Sequence, residues 1–177
     1  MPARFLNTLG LAGVSAVLLV AFFYQLVLGE LPCPLCLLQR GAFVALGIGF
    51  LLNVWLGSSM AHYGIVIVSA VIGAATSARQ VLLHIEPGDE GYGSALFGLH
   101  FYSWALVGFA GYLVYAGILL FVESGNRASP RGPADTLGRA AAWLFLLLVA
   151  GNLVSTLLEC GVGPCADNPV KYDWLPG

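Results

Sequence analysis

The four cysteines of the chain fall into two pairs, and thiol chemistry is the first function that they suggest. Cys33 and Cys36 form a C-x-x-C motif, and Cys160 and Cys165 lie together more than 120 residues later. A C-x-x-C motif closes a small ring that interconverts readily between a dithiol and a disulfide. In an oxidising compartment, two pairs are expected to form two disulfides.

The residues around the C-x-x-C motif favour a reactive thiol. Pro34 suits the first turn of a helix, so Cys33 is expected at the helix N-terminus, where the macrodipole favours a thiolate. Arg40 follows Cys36 by four residues and therefore lies on the same helical face. A fixed cation there stabilises a Cys36 thiolate or an anionic partner beside it.

The composition of the chain indicates that lipid covers much of the protein surface. Of the 177 residues, 59% are hydrophobic and 9% are charged, whereas about a quarter of the residues of a soluble domain are charged. The net charge is -2 and the sequence contains no basic run, which argues against a nucleic-acid partner.

Five apolar stretches are long enough to cross a bilayer as helices. They are residues 9–28, 37–56, 63–83, 101–122 and 140–158, and a tail of residues 159–177 follows them. We therefore predict an all-α, polytopic membrane helix bundle in which residues 1–177 form one integral membrane domain. The first stretch is read as a span rather than a cleavable signal peptide, because it is long and no A-x-A-like site follows it.

The basic residues predict how the bundle is oriented. Arg4, Arg127, Arg131 and Arg139 fall on one side of a five-span bundle, which the positive-inside rule assigns to the cytoplasm. The N-terminus is then cytoplasmic and the tail lies outside. With an odd number of spans, both cysteine pairs share the outer side.

Arg79 lies near the end of the third stretch and has two interpretations. The simpler one is a side chain that extends to the membrane interface. The more specific one is a contact with a bound head group near Arg40. The connection at residues 86–99 contains several glycines and no obvious catalytic residue.

The segment Cys33-Pro34-Leu35-Cys36-Leu37-Leu38-Gln39-Arg40 resembles the C-x-x-C-x-x-x-R signature of DsbB, the disulfide bond formation protein B family. Residues 98–104 and the tail at residues 159–169 are similar to a long-form branch of that family. The best-known members have four helices, with the second pair between helices three and four. Here the second pair follows a fifth helix, so we expect the docking surface for the soluble partner to differ.

The resemblance implies a thiol:quinone oxidoreductase of the bacterial inner membrane. A reduced periplasmic thioredoxin-fold protein similar to DsbA would reduce Cys160–Cys165, and that pair would then reduce Cys33–Cys36. Cys36 would meet a membrane quinone, either ubiquinone or menaquinone. Arg40, and in the more specific interpretation Arg79, would bind the quinone, and no metal is implied.

Other classes of protein remain open at this point. A vitamin K epoxide reductase-like protein also couples thiols to a quinone, although its C-x-x-C is expected late in the chain, after the shuttle pair. A non-catalytic membrane protein with two structural disulfides is a second alternative. A zinc site of four thiolates is a third alternative, which the oxidising side of the membrane disfavours. A small transporter is a fourth, which the scarcity of polar residues in the spans disfavours.

Overall fold

The computed structural model describes residues 2–124 and 134–174, and five long α-helices dominate this part of the chain. They are α1 (Pro2–Leu26), α2 (Pro34–Leu56), α3 (Met60–Leu83), α4 (Phe101–Ser124) and α5 (Thr136–Cys160). Each is long and apolar enough to cross a membrane, which confirms the predicted helix bundle. Arg127 and Arg131, on which the predicted orientation partly depends, lie outside the described residues.

Four of the five helices begin earlier than the predicted apolar stretches, and side-chain caps mark the start of three of them, α2, α3 and α5. Cys33 caps α2, its sulfur accepting a hydrogen bond from the backbone N–H of Cys36 (3.2 Å), and Pro34 occupies the first turn. Ser59 caps α3, and Asp135 caps α5 by accepting from Gly138 N at 2.9 Å. Hydropathy alone does not detect such capping turns, because each depends on a hydrogen bond to a side-chain oxygen or sulfur.

Close packing between helices occurs where a glycine faces an aromatic ring. The Phe43 and Phe109 rings stack with centroids 4.0 Å apart between α2 and α4. A methyl group on Gly73 of α3 would lie 2.3 Å from the Phe109 ring, and one on Gly47 of α2 would lie 2.3 Å from the Phe145 ring. Small residues of this kind let membrane helices approach each other closely. The Gly47 contact also joins α5 to the bundle.

Buried polar side chains tie the helices together at one end of the bundle. Asn53 Nδ2 donates to Asn7 Oδ1 at 2.8 Å, and Asn7 Nδ2 donates to the Tyr63 hydroxyl at 2.8 Å. The Tyr63 hydroxyl donates to Glu123 at 3.2 Å. These contacts link α1, α2, α3 and α4, and they satisfy groups that would be costly to leave unpaired in an apolar interior.

All four cysteines lie at the opposite end, which we call the cysteine end. Gln80 at the end of α3 contacts Cys33 at the start of α2, with 3.3 Å between Nε2 and the sulfur. Gln25 at the end of α1 donates to Ser155 near the end of α5 at 2.6 Å. The C-terminal ends of α1, α3 and α5 therefore meet the N-terminal end of α2.

The connection between α3 and α4 contains a short ribbon that the sequence analysis did not predict. Strands β1 (Ala95–Leu96) and β2 (Leu99–His100) pair antiparallel. The turn between them places Phe97 at φ 52° and Gly98 at φ 80°. A positive φ is uncommon for an aromatic residue, so the residue types give little warning of this turn.

The glycine–aromatic contacts predict an asymmetry between two glycines of α3. Gly73→Ala introduces a methyl group into the Phe109 ring, so we expect a lower thermal unfolding midpoint in detergent, at an overpacking cost of about 1–3 kcal/mol. Gly64→Ala is the matched control, because no heavy atom lies within 4 Å of the added methyl group. An equal loss of stability in both variants would contradict the packing described here.

Candidate active site

The inner pair, Cys33 and Cys36, forms a disulfide at the first turn of α2, with Cα atoms 5.0 Å apart. Cys33 is buried, whereas Cys36 is half-buried and forms part of the wall of a cavity. The two sulfurs therefore differ in access. Of the two residues, Cys36 lines the cavity and Cys33 does not.

Gln80 is the side chain of α3 that contacts the inner pair. Its Nε2 donates to the sulfur of Cys33 at 3.3 Å and lies 3.7 Å from the sulfur of Cys36. Gln39 Nε2 donates to Gln80 Oε1 at 2.8 Å, which fixes the amide in this orientation. An N–H donor that points at sulfur favours the thiolate over the thiol when the disulfide is reduced.

Gln80 has no predicted role from the sequence, which indicated its neighbour Arg79 instead. The structure leaves Arg79 exposed and does not place it in the described wall of the cavity. Its contact with a head group remains a prediction. A usable signal was present, because Gln39 and Gln80 are both polar residues inside apolar spans, and such residues tend to find polar partners.

The cavity beside Cys36 has a volume of about 410 Å³ and a largely apolar wall. Residues of α1, α2, α4 and the connections after α1 and after α3 form that wall. Phe43, Phe101 and Leu96 are among the apolar members, and Gln39 and Arg40 are polar members that follow Cys36 on α2. An apolar pocket with a few polar groups is typical of sites for small organic ligands.

Arg40 is fixed beside this cavity by α1. Its Nη1 donates to Gln25 Oε1 at 2.5 Å, and its Nη2 donates to the backbone carbonyl of Ala21 at 3.1 Å. The guanidinium carbon lies 5.9 Å from the centroid of the Phe22 ring, within range of a cation–π interaction. The predicted placement of Arg40 and Cys36 on one helical face is observed, since both residues are part of the cavity wall.

The outer pair, Cys160 and Cys165, forms a disulfide that closes a short loop at the end of α5. Cys160 is the last residue of the helix and is buried. The chain then returns to α5, where Asp173 N donates to Glu159 O at 3.2 Å and Trp174 N donates to Leu158 O at 3.1 Å. The outer pair is thus held against the cysteine end of the bundle.

A buried polar network connects α5 with Arg40. Gln25 is its centre, because its oxygen accepts from Arg40 and its Nε2 donates to Ser155 Oγ at 2.6 Å. The same nitrogen lies 3.5 Å from Glu159 Oε2 and 3.2 Å from the Tyr172 hydroxyl of the tail. Neither Gln25 nor Glu159 was predicted from the sequence to make this contact.

The connection after α3 covers the cavity and is fixed by its own polar contacts. The Tyr92 hydroxyl donates to Leu31 O at 2.7 Å, and Ser94 donates to the Glu30 carboxylate. Burial raises the pKa of Tyr92, and the carboxylates of Glu159 and Glu30 raise it further, so the hydroxyl keeps its proton and remains a donor.

Asp89 holds the first part of the same connection. Its carboxylate accepts from Gly91 N at 2.7 Å and lies 3.1 Å from His84 Nδ1. The backbone hydrogen bond from Gly91, followed by the contact with His84, holds the pKa of Asp89 below its usual range. The carboxylate form that caps this turn therefore persists at neutral pH.

Comparison with known proteins identifies the family to which the chain is similar. The family model of the disulfide bond formation protein DsbB matches residues 3–119, which include the inner pair, Arg40 and Gln80. Disulfide bond formation protein B of Xanthomonas axonopodis pv. citri is 40% identical over 92 residues, which are 49% of this chain and 52% of that protein. The protein of the same name from Xylella fastidiosa strain Temecula1 is 40% identical over 78 residues, 41% of this chain and 45% of that protein.

The chain thus matches only about half the length of these curated relatives. No solved structure matches the chain. The matched residues 3–119 end within α4, so α5 and the outer pair lie beyond the region that the family model describes.

The contact between Gln80 and the inner pair leads to a prediction about thiol reactivity. In Gln80→Leu the reduced Cys33 loses a hydrogen-bond donor, so we expect its alkylation by iodoacetamide to require a higher pH. Hydrogen bonds to charged groups contribute about 1.5–3 kcal/mol, so the shift should be about one pH unit or more. Peptide-resolved mass spectrometry of the reduced protein measures it.

Thr76→Val is the matched control, because Thr76 lies one turn before Gln80 on α3 and its hydroxyl bonds Ile72 O of its own helix. We expect the wild-type alkylation profile in this variant. A Gln80→Leu profile that coincides with that of Thr76→Val would show that the amide does not act on the sulfur.

Proposed function

The chain belongs to the DsbB family of disulfide bond formation proteins, and from this premise we propose that it transfers electrons from a soluble dithiol protein to a membrane quinone. The family and the five apolar helices make it a multi-pass membrane protein with two cysteine pairs. The identity of the electron donor and that of the acceptor are the finer parts of the proposal.

The observation that carries the proposal is the shared position of Cys36 and Arg40 in the wall of one apolar cavity. A quinone ring is apolar and planar, enters from lipid, and presents carbonyl oxygens that a guanidinium can bind. The cavity volume of about 410 Å³ is within the range of small-molecule sites. The residues present therefore fit a quinone: Arg40 would bind a carbonyl oxygen, and Phe43 and Phe101 would contact the ring.

Each residue of the inner site then has a chemical task. A bound quinone, ubiquinone or menaquinone, supplies a two-electron, two-proton acceptor. Cys36 would supply the sulfur on the cavity side, and Cys33 would re-form the disulfide with Cys36 as two electrons and two protons leave the pair. Arg40 stabilises negative charge at the acceptor, while Gln80 stabilises it at the sulfurs.

The outer pair receives electrons from the soluble partner. A reduced thioredoxin-fold protein similar to DsbA attacks the Cys160–Cys165 disulfide, and the mixed disulfide resolves to give its oxidised form and the reduced pair. Exchange with Cys33–Cys36 then returns the outer pair to the disulfide. Because Cys33 is only 7% exposed, we expect this exchange to require local movement of the segments that cover it.

The proposed location is the bacterial inner membrane, with the cysteine end in the periplasm. The N-terminus is then cytoplasmic, the tail is periplasmic, and residues 1–177 form one membrane domain. Support comes from the placement of all four cysteines at one end of the bundle and from the chemistry, because disulfides persist on the oxidising side of the membrane.

Purified protein with ubiquinone and a reduced partner tests the proposal. Cys36→Ser should abolish quinone reduction, measured as the loss of quinone absorbance, because no other sulfur of the described chain lines the cavity. Quinone reduction that persists in Cys36→Ser would refute the assignment.

A variant of the outer pair separates the two half-reactions. In Cys160→Ser/Cys165→Ser, dithiothreitol should still drive quinone reduction through the inner pair, whereas electrons from the protein partner should no longer arrive. If the protein partner supports full turnover in this variant, the outer pair has no place in the electron path.

A further inference from the structure

Glu159 is a buried carboxyl group at the cysteine end that the electron path above does not use. Glu159 is only 3% exposed, and it lies in the last turn of α5 directly before Cys160. Oε2 lies 3.5 Å from Gln25 Nε2, and Oε1 has no hydrogen-bond partner among the described residues. A carboxylate this deeply buried is costly unless a cation balances it.

The balancing cation is Arg40, and Gln25 stands between the two groups. The Gln25 amide accepts from the guanidinium through its oxygen at 2.5 Å and faces the carboxylate with its nitrogen. Its dipole is therefore aligned with the field between the charges. Arg40 and Glu159 attract each other across this amide.

Among the described residues, the other groups that face Glu159 are not cations, so Arg40 is its cationic partner. The titratable groups that face it from the neighbouring segments are the hydroxyls of Tyr172 in the tail and Tyr92 in the connection after α3. From α1 it meets the neutral Gln25, and from its own helix Ser155 joins the same amide. A tyrosine hydroxyl carries no positive charge in either protonation state and does not balance a carboxylate.

We propose that Glu159 is the counter-charge of Arg40, and that α5 thereby limits how readily Cys36 becomes a thiolate. This inference rests on the proposed function, in which Arg40 and Cys36 share the acceptor site. Glu159 is a positioning residue, because it acts on Cys36 through the charge of Arg40 and does not line the cavity. It comes from a helix beyond the residues that the family model matches.

The consequence is a link between the two cysteine pairs. The helix that presents the outer pair also sets the charge of the site that receives its electrons. With Glu159 ionised, the guanidinium is partly neutralised and stabilises a Cys36 thiolate less. With Glu159 neutral, the full positive charge acts on Cys36 and on any anion in the cavity. A stabilised thiolate makes a dithiol couple more oxidising.

The test is the pH dependence of Cys36 alkylation in the reduced full-length protein in detergent. Iodoacetamide labels the thiolate, and peptide-resolved mass spectrometry separates Cys36 from the other cysteines. We expect Glu159→Gln to move the profile to lower pH by about one unit, as for a unit charge within about 10 Å at a partly buried site. Glu159→Leu, a second neutral replacement, should produce the same shift, and Glu159→Asp should restore the wild-type profile.

Two further variants distinguish a charge effect from a structural one. Ser155→Ala removes a neutral partner of Gln25 and should leave the profile unchanged. Arg40→Gln and the double variant Arg40→Gln/Glu159→Gln should have the same Cys36 alkylation profile. Without its cation the buried carboxyl stays protonated, so replacing Glu159 by Gln then changes no charge. Helical circular dichroism and a single gel-filtration peak establish that each variant is folded.

A folded Glu159→Gln protein with the wild-type profile would overturn the inference, and so would a full shift that persists without Arg40. The assay contains no quinone and no partner protein. A shifted profile in a protein that fails to reduce quinone would therefore refute the proposed function alone. An unshifted profile in a protein that reduces quinone would refute the counter-charge alone.

Discussion

The structure of the cysteine end depends on one constraint: the guanidinium of Arg40 lies among apolar helices and needs polar partners there. Charged side chains within a membrane are costly and need partners. Arg40 obtains them from α1, through the Gln25 amide, the Ala21 carbonyl and the Phe22 ring, and electrostatically from Glu159 of α5. The requirement for these partners brings the ends of α1, α2 and α5 together. It also places a positive charge in the same wall as Cys36.

The inner disulfide is held by a second set of polar contacts that avoids any further charge. Gln39 orients Gln80, and Gln80 donates to the sulfur of Cys33. Hydrophobic burial does not drive helices together in lipid, so close packing and interhelical hydrogen bonds must fix their positions. The glutamine pair does this between α2 and α3 at the cysteine end, and the Asn7–Asn53–Tyr63 contacts do it at the opposite end.

Local sequence patterns predicted the helices and part of the site. Continuous apolar runs of about twenty residues predict spans, and the four-residue spacing of Cys36 and Arg40 predicts a common face. Gln80, Gln25 and Glu159 were missed because their roles depend on contacts between helices far apart in sequence. Gln25 and Glu159, for example, are separated by 134 positions. The ribbon at residues 95–100 was missed because its turn places an aromatic residue at positive φ.

In the proposed electron path, the outer pair reaches the acceptor only through the inner pair. The direct measurement is the rate at which Cys160 and Cys165 re-form their disulfide after reduction, when ubiquinone is added to anaerobic protein. Mass spectrometry of alkylated peptides follows each cysteine in wild type and in Cys33→Ser/Cys36→Ser. We predict rapid closure of the outer disulfide in wild type and none above the quinone-free rate in the variant. Equal closure in both proteins would contradict the account.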